Sequence, residues 1–556
     1  MQITTKAGPC QTIYCSLIIL TLCTCTVCGE AVKLPADLPF VMPQLTVPEF
    51  KDQSFLITDY GAVSDGQTKN TEAFAKAISA CAEASGGQVT VPAGIWITGP
   101  ITLKSRVNLH LLPGSLILFS TDIDDYPMVP KTWEGSEAIR RMSPITAENL
   151  ENIAITGSGI IDGSGQVWRH VKKDKLTESQ WKKLTGSGGV VDSAGRIWYP
   201  SEQSMNGSKT VKTLRKRNAE PAQYAAAGEH LRPVMVSLVN CKNVLLDGPT
   251  FQNSPAWNIH PLLCENVIIR NLNVRNPRWS QNGDGLDVES CKNVLVSNCR
   301  FDVGDDAICM KSGRDEYGRQ RGRATENVII EDCIVYHGHG GFTVGSEMSG
   351  GVRNVLVRNC NFLGTDIGLR FKSTRDRGGE VEDIYIEDIF MTDIPTDAIR
   401  FNLFYSQKFP GAEKSLDSPP DPVTEQTPRF QRIHMKNILC RGAKRALYMQ
   451  GLPEMPIRQI TFENVTLLAD TGVLCIETED ITFKNFKILP KEDPAFGLYN
   501  ARQMHLDSID MPADAKVNLI LAGEKTKAVE IKNTDKTLIE NKLEFKKGAD
   551  STALSL

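Results

Sequence analysis

The chain lacks an excess of positive charge: 62 Lys and Arg stand against 66 Asp and Glu, a formal charge of −4. That balance excludes a uniformly basic surface for a polyanion. It also lacks an apolar run near its start long enough for a bilayer, because Ile13–Leu22 is too short to span one. No Cys-x-x-Cys pair occurs among the ten cysteines beyond residue 29, so the common spacing of a structural zinc site is missing.

The short apolar run has another reading. Lys6 is the single positive charge of the first thirty residues, and Val27 and Gly29 are small residues at the spacing a signal peptidase reads. This resembles a secretory signal over residues 1–29, which implies a secreted or periplasmic protein with no transmembrane segment. Cys10, Cys15, Cys23, Cys25 and Cys28 would leave with it. A lipid anchor at Cys23, Cys25 or Cys28 is the weaker alternative, since none follows Gly, Ala or Ser.

The middle of the chain repeats. Asn243, Asn266, Asn293, Asn327, Asn354 and Asp383 each open a short β-branched run, at steps of 23, 27, 34, 27 and 29 residues. Periods of roughly 20 to 50 residues mark solenoids. Runs such as Val294-Leu295-Val296 and Val328-Ile329-Ile330 are too short for amphipathic helices and read as strands. Six residues after the opening position stand Leu272, Cys299, Cys333, Cys360, Ile389, Ile438, Val465 and Phe486, an apolar ladder inside a tube. In that ladder a cysteine acts as a small buried hydrophobe. The expected fold is all-β, a right-handed parallel β-helix, with the amphipathic stretch from Thr71 to Ala84 capping its first coil.

The expected organisation is a signal at 1–29, an N-terminal extension at 30–56, a β-helix at 57–490 and a C-terminal extension at 491–556. An insertion on one coil occupies about 168–231, where the repeat gives way to Lys, Arg, Ser and Gly. Irregular strands are expected after Leu489, with a frayed charged tail from about Lys546.

Four chemical motifs recur at matching places in the repeat: Asn282-Gly283-Asp284, Gly304-Asp305-Asp306, Gly338-His339-Gly340 and Arg370-Phe371-Lys372. Twelve residues after their opening Asn, three consecutive units carry Asp305, His339 and Asp366. Equal offsets become vertical neighbours in stacked coils, about 4.8 Å apart. Three crowded carboxyls must push at least one pKa upward, which keeps a proton available as an acid. Such a pair of roles, one acid and one water-activating carboxylate, is what glycosidic hydrolysis needs. Arg370 and Lys372 alternate around Phe371, so both point outward while Phe371 points in. From Lys311 to Arg377 a run of basic residues suggests an anionic ligand on that face.

On these motifs the chain resembles glycoside hydrolase family 28, the polygalacturonases and related pectin hydrolases, over about Ile57 to Leu489. Gly283 departs from the family's usual Thr. The resemblance implies Asp305 as general acid, Asp284 and Asp306 as the pair activating water for inversion, and His339 supporting the acid. It further implies that Asn282, His260, Lys311, Arg370 and Lys372 bind substrate. The implied ligand is an anionic polysaccharide such as pectin, not nucleic acid, and no metal or cofactor is expected. Within the family, a rhamnogalacturonan galacturonohydrolase is an alternative to a polygalacturonase. Outside it, a β-helical pectate lyase and a non-catalytic adhesin compete, with Gly-Asp-Asp and Gly-His-Gly against both. The insertion at about 168–231 and the Arg314–Arg323 loop are long enough to block one groove end, which favours exo action. The oligomeric state is not legible.

Overall fold

Left-handed backbone at the opening residue of each unit starts the coils. Asn152, Asn243, Asn266, Asn293, Asn327 and Asn354 all have φ between 54° and 58°, a region Asn tolerates better than most residues. Their amides also stack: from Asn243 on, each Nδ2 donates to the Oδ1 one coil earlier, at 3.0 Å for Asn243 to Asn152 and 3.1 Å for Asn354 to Asn327. The Asn that bends the chain therefore also fixes the vertical register.

In the computed structural model, which describes residues 1–2 and 30–556, these coils build a right-handed parallel β-helix. The expected signal segment lies outside the described residues, its first two positions apart. Each central coil has three strands, for example Leu286–Glu289, Lys292–Ser297 and Arg300–Asp302. Each strand pairs in parallel with its counterpart on the next coil: Val294 with Val328, Val328 with Val355, Val355 with Ile384. The offset-six ladder is buried as expected, and all ten cysteines among the described residues are free thiols. The helix Thr71–Glu83 puts Ala73, Phe74, Ala77, Ile78 and Cys81 into the same core at the first coil.

The solenoid extends beyond the expected limits. Pairing begins at Ser54–Leu56 and runs to Leu554–Ser555, so the C-terminal segment is more coil, not an irregular extension with a frayed tail. Leu519–Ala522 is fully buried, and a continuous apolar run shows no alternation to read.

Residues 32–50 form a strap across the outside. Leu45, with Val32, Phe40, Met42 and Phe50, covers Ala154, Leu245, Ile268, Leu295 and Ile329, the outward apolar positions of five coils. Leu45 is 1% exposed. Leu45→Ala is expected to cost about 2–5 kcal/mol; an unchanged denaturation midpoint would show that the strap contributes nothing.

Two segments leave the coils on the face that matters below. The insertion carries the helices Glu178–Gly186 and Glu202–Lys216 and a three-stranded antiparallel sheet. A hairpin, Met128–Trp133 with Ser136–Arg141, was not anticipated from the sequence. Among the described residues no helix is long and apolar enough to cross a membrane.

Candidate active site

The turns that lead into one sheet carry the expected acids. Asp284 precedes Leu286–Glu289, Asp305 and Asp306 precede Ile308–Lys311, and His339 precedes Gly340–Val344. Backbone bonds stack the turns: Gly285 N–H donates to the Asp306 carbonyl at 3.0 Å and His339 N–H to the Asp305 carbonyl at 2.9 Å. Tight packing explains the unusual Gly283, because a Cβ there would meet Ser280 Oγ at 1.9 Å. Gly304 meets the same hydroxyl, at 2.4 Å.

One oxygen from each of Asp284, Asp305 and Asp306 lies within 4.8 Å of the others. Their environments differ. Asp306 receives Arg370 at 2.9 Å on Oδ1 and Lys372 at 2.7 Å on Oδ2. Burial would raise its pKa, but those two cations hold the carboxyl far below the usual range. Asp305 Oδ1 lies 2.9 Å from His339 Nδ1. Burial again opposes ionisation, yet the imidazole keeps Asp305 below its ordinary value and is itself held above its own, against burial, by the same bond. Among the described residues Asp284 has no cation in contact, and its Oδ1 is buried without a hydrogen-bond partner. Burial, then the charges of Asp287 and Asp305, raise it well above the ordinary range.

Crowding therefore does lift a carboxyl, but the lifted one is Asp284, not Asp305. The cause is compensation: Asp305 has a histidine and Asp306 has two cations. His339 Nε2 also lies 3.7 Å from Asp366, and Lys175 of the insertion comes within 3.5 Å of the same nitrogen.

Arg370 and Lys372 point outward as the alternation predicts, with Phe371 in the core stacked 4.3 Å from Phe401. Both cations also lie over the Tyr405 ring, at 5.9 and 5.1 Å. One guanidinium nitrogen of Arg370 bonds Asp306, leaving further donors for a ligand.

The other expected residues flank the acids without joining them. Asn282 Oδ1 accepts from Arg232 at 2.8 Å. His260 is buried, its Nε2 2.9 Å from Glu289, which also receives Arg321 at 2.7 Å. Lys311 lies beneath the Trp257 ring at 4.3 Å, between Glu347 at 3.2 Å and Asp287 at 3.5 Å.

The basic run is not a free ligand-facing strip. Arg314 pairs with Glu134 and Asp315, Arg353 with Glu326 on the back sheet, Arg375 with Glu454 and Asp421, and Arg377 with Asp315. Counting cations along the sequence did not show which acids, inside the run such as Asp315 or outside it such as Glu134 and Glu454, would pair with them. Reading the motifs also missed Asp287, which is fully buried, with both oxygens lacking hydrogen-bond partners. Burial, with Asp306 and Glu347 adding to it against Lys311, pushes its carboxyl up to about 8. Its signal was the spacing Asp284-Gly285-Leu286-Asp287, one strand step past the acid.

The hairpin packs against this face. Its tip carbonyl at Gly135 accepts from Arg314 N–H at 2.9 Å, Glu134 pairs with Arg314 at 3.5 Å, and Trp133 stacks on Trp257 at 4.8 Å and 25°. Arg140 lies 3.9 Å over Trp133 and donates to the Arg232 carbonyl, and Arg232 in turn holds Asn282. Through Arg232 the hairpin is braced to the turn that carries Asp284, and through Arg314 to the coil that carries Asp305 and Asp306.

A family profile described as glycosyl hydrolases family 28 matches residues 176–475. A probable polygalacturonase of Vitis vinifera is 29% identical over 421 residues, 74% of this chain and 73% of its own. An exo-poly-alpha-D-galacturonosidase of Dickeya chrysanthemi is 29% identical over 448 residues, 77% of this chain and 70% of its own. A hyperthermoactive exopolygalacturonase from Thermotoga maritima superposes with a TM-score of 0.66 at 31% identity, covering 84% of this chain and 94% of that one.

Proposed function

Since this chain belongs to glycosyl hydrolase family 28, and is a glycoside hydrolase on that account, we propose that it hydrolyses α-1,4 galacturonosyl bonds of polygalacturonate with inversion, releasing sugars from a chain end. The observation that carries the reading is the differentiated acid cluster. Asp306 stays ionised between Arg370 and Lys372, and Asp305 shares a proton with His339 at 2.9 Å.

In the reaction, Asp306 takes a proton from water while the water oxygen bonds to the anomeric carbon. The glycosidic C–O bond breaks, and the leaving oxygen takes a proton from Asp305. His339 Nδ1 supplies that proton to the carboxyl across their hydrogen bond. Asp284, itself held protonated, orients the water as its second partner. Arg370 and Lys372 use their remaining donors on the uronate carboxylate, where charge-assisted bonds are strongest. Lys311, enclosed by Trp257 and two acids, acts through its charge on the cluster instead of touching sugar.

Exo action is supported by the hairpin, whose tip is bonded to Arg314, and by the insertion, whose Lys175 reaches His339; on this reading they block one end of the groove and the chain extends toward the C-terminal coils. Product analysis tests it: galacturonate or another single short product should appear from the first minutes. A ladder of oligomers would make the enzyme endo-acting. Highly methyl-esterified pectin should be cleaved far more slowly than de-esterified polymer, since esterification removes the charge that Arg370 and Lys372 recognise; equal rates would remove them from that role.

Export through the segment 1–29 fits an extracellular polymer as substrate. The reaction needs no metal on this reading. Asp306 has both oxygens engaged by cations and Asp305 one by His339, so the cluster's charge is already offset. Turnover of a soluble oligogalacturonate should survive excess EDTA. Loss of activity restored by calcium would overturn the roles given to all three Asp residues.

A further inference from the structure

The face that carries Arg370 does not end there. In register with Arg370 on the next two coils stand Arg400 and then Tyr448. Asp397 and Arg445 are likewise in register, three residues earlier on the same two strands. The Arg400 and Arg445 guanidiniums lie 5.7 and 5.1 Å over the Tyr448 ring, and Phe409 from the following loop meets that ring edge-on at 5.5 Å.

The charges do not cancel. Asp397 is the one carboxylate paired with these cations: it bonds Arg400 closely and lies 3.9 Å from Arg445. Both arginine side chains keep about 30% of their surface in water, at 30% and 29%, while Asp397 keeps 4%. A surplus cation is thus held at the open end of the groove, with Phe409 exposed beside it at 37%. Exposed guanidiniums fixed over an aromatic ring are suited to a planar carboxylate.

We propose that Arg400 and Arg445 form a subsite for the carboxylate of a second uronate, on the chain side of the scissile bond. This rests on the exo reading above. On that reading a substrate crossing the acids continues over these coils, which follow Arg370 in register. The coil rise of about 4.8 Å is comparable to one pyranose and its linking oxygen, so successive carboxylates would meet successive coils. The loop bearing Phe409 supplies an apolar edge for the sugar.

The test is chain-length dependence of kcat/KM on di-, tri- and tetragalacturonate. Two variants avoid stranding a buried acid: Arg445→Gln alone, which leaves Arg400 on Asp397, and the pair Arg400→Gln with Asp397→Asn. Each should reduce the ratio of tetramer to dimer kcat/KM, by roughly tenfold for a lost charge-assisted contact, and Arg445→Lys should restore part of it. An unchanged ratio, or an equal loss at every length with a lowered unfolding temperature, overturns the subsite and leaves the hydrolase reading standing. If the unaltered enzyme cleaves none of the three, the hydrolase reading fails first and the subsite falls with it.

Discussion

Asp305→Asn should cut kcat on oligogalacturonate by about 10²–10⁴-fold, the usual contribution of a positioned acid, with little change in unfolding temperature. Asparagine keeps an oxygen for the His339 Nδ1–H, so the turn retains its geometry while the dissociable proton is gone. A variant above a tenth of native turnover would remove Asp305 as the donor. Asp284→Asn then becomes the decisive comparison, because Asp284 is the carboxyl of the three whose pKa burial and its neighbours raise. The pH profile separates the two through His339. Its pKa is raised in the folded protein, so the Asp305 pair is complete below the ordinary imidazole value of about 6.5 and is lost as pH rises through the higher folded value. The alkaline limb of kcat should therefore lie above that ordinary value and move down in His339→Gln. A limb that stays in place would disconnect the histidine from the acid.

Much of this site was legible because the repeat does geometric work. Asn293, Asn327 and Asn354 fix the register, so residues twelve positions later stack without any knowledge of the fold. That stacking brings Asp305 to His339 across 34 residues of sequence. What the repeat does not contain was not legible. Trp133, Glu134 and Gly135 lie in a hairpin outside the coils, and their contact with Arg314 depends on a fold of the whole face. Arg232 reached Asn282 unseen for the same reason, from just past an insertion that was read only as long enough to block the groove. The charge reading failed differently. Counting cations along a run says nothing of which acids meet them: Asp315, Glu326 and Glu347 of the same stretch, and Glu134 and Glu454 from outside it, pair with it only once the coils are stacked. The last coils escaped notice because a strand buried on both faces, such as Leu519–Ala522, has no alternation to betray it.

Lys372→Gln should lower kcat/KM on polygalacturonate by about 10²–10³-fold, the scale for losing one preorganised charge partner. The argument runs through Asp306. That carboxylate is 1% exposed and ionised only because Lys372 and Arg370 offset its burial. Its folded pKa is depressed, so the pairing stabilises the protein above the ordinary carboxylate value of about 3.9 and is lost as pH falls through the lower folded value. Removing one cation moves that folded value up, and the acid limb of both activity and stability should move up with it. Breaking one side of a buried pair costs about 3–5 kcal/mol, so some of the lost rate could be lost fold. The double variant Asp306→Asn with Lys372→Met distinguishes them: it should recover part of the stability, because no buried carboxylate is stranded and Arg370 keeps an amide oxygen as acceptor, and recover no activity, because the base is gone. Full kcat/KM in Lys372→Gln with an unmoved acid limb would sink the assignment of Asp306 as the ionised base. A double variant with restored turnover would do the same, by making the pair a structural ornament of a site whose water is activated elsewhere.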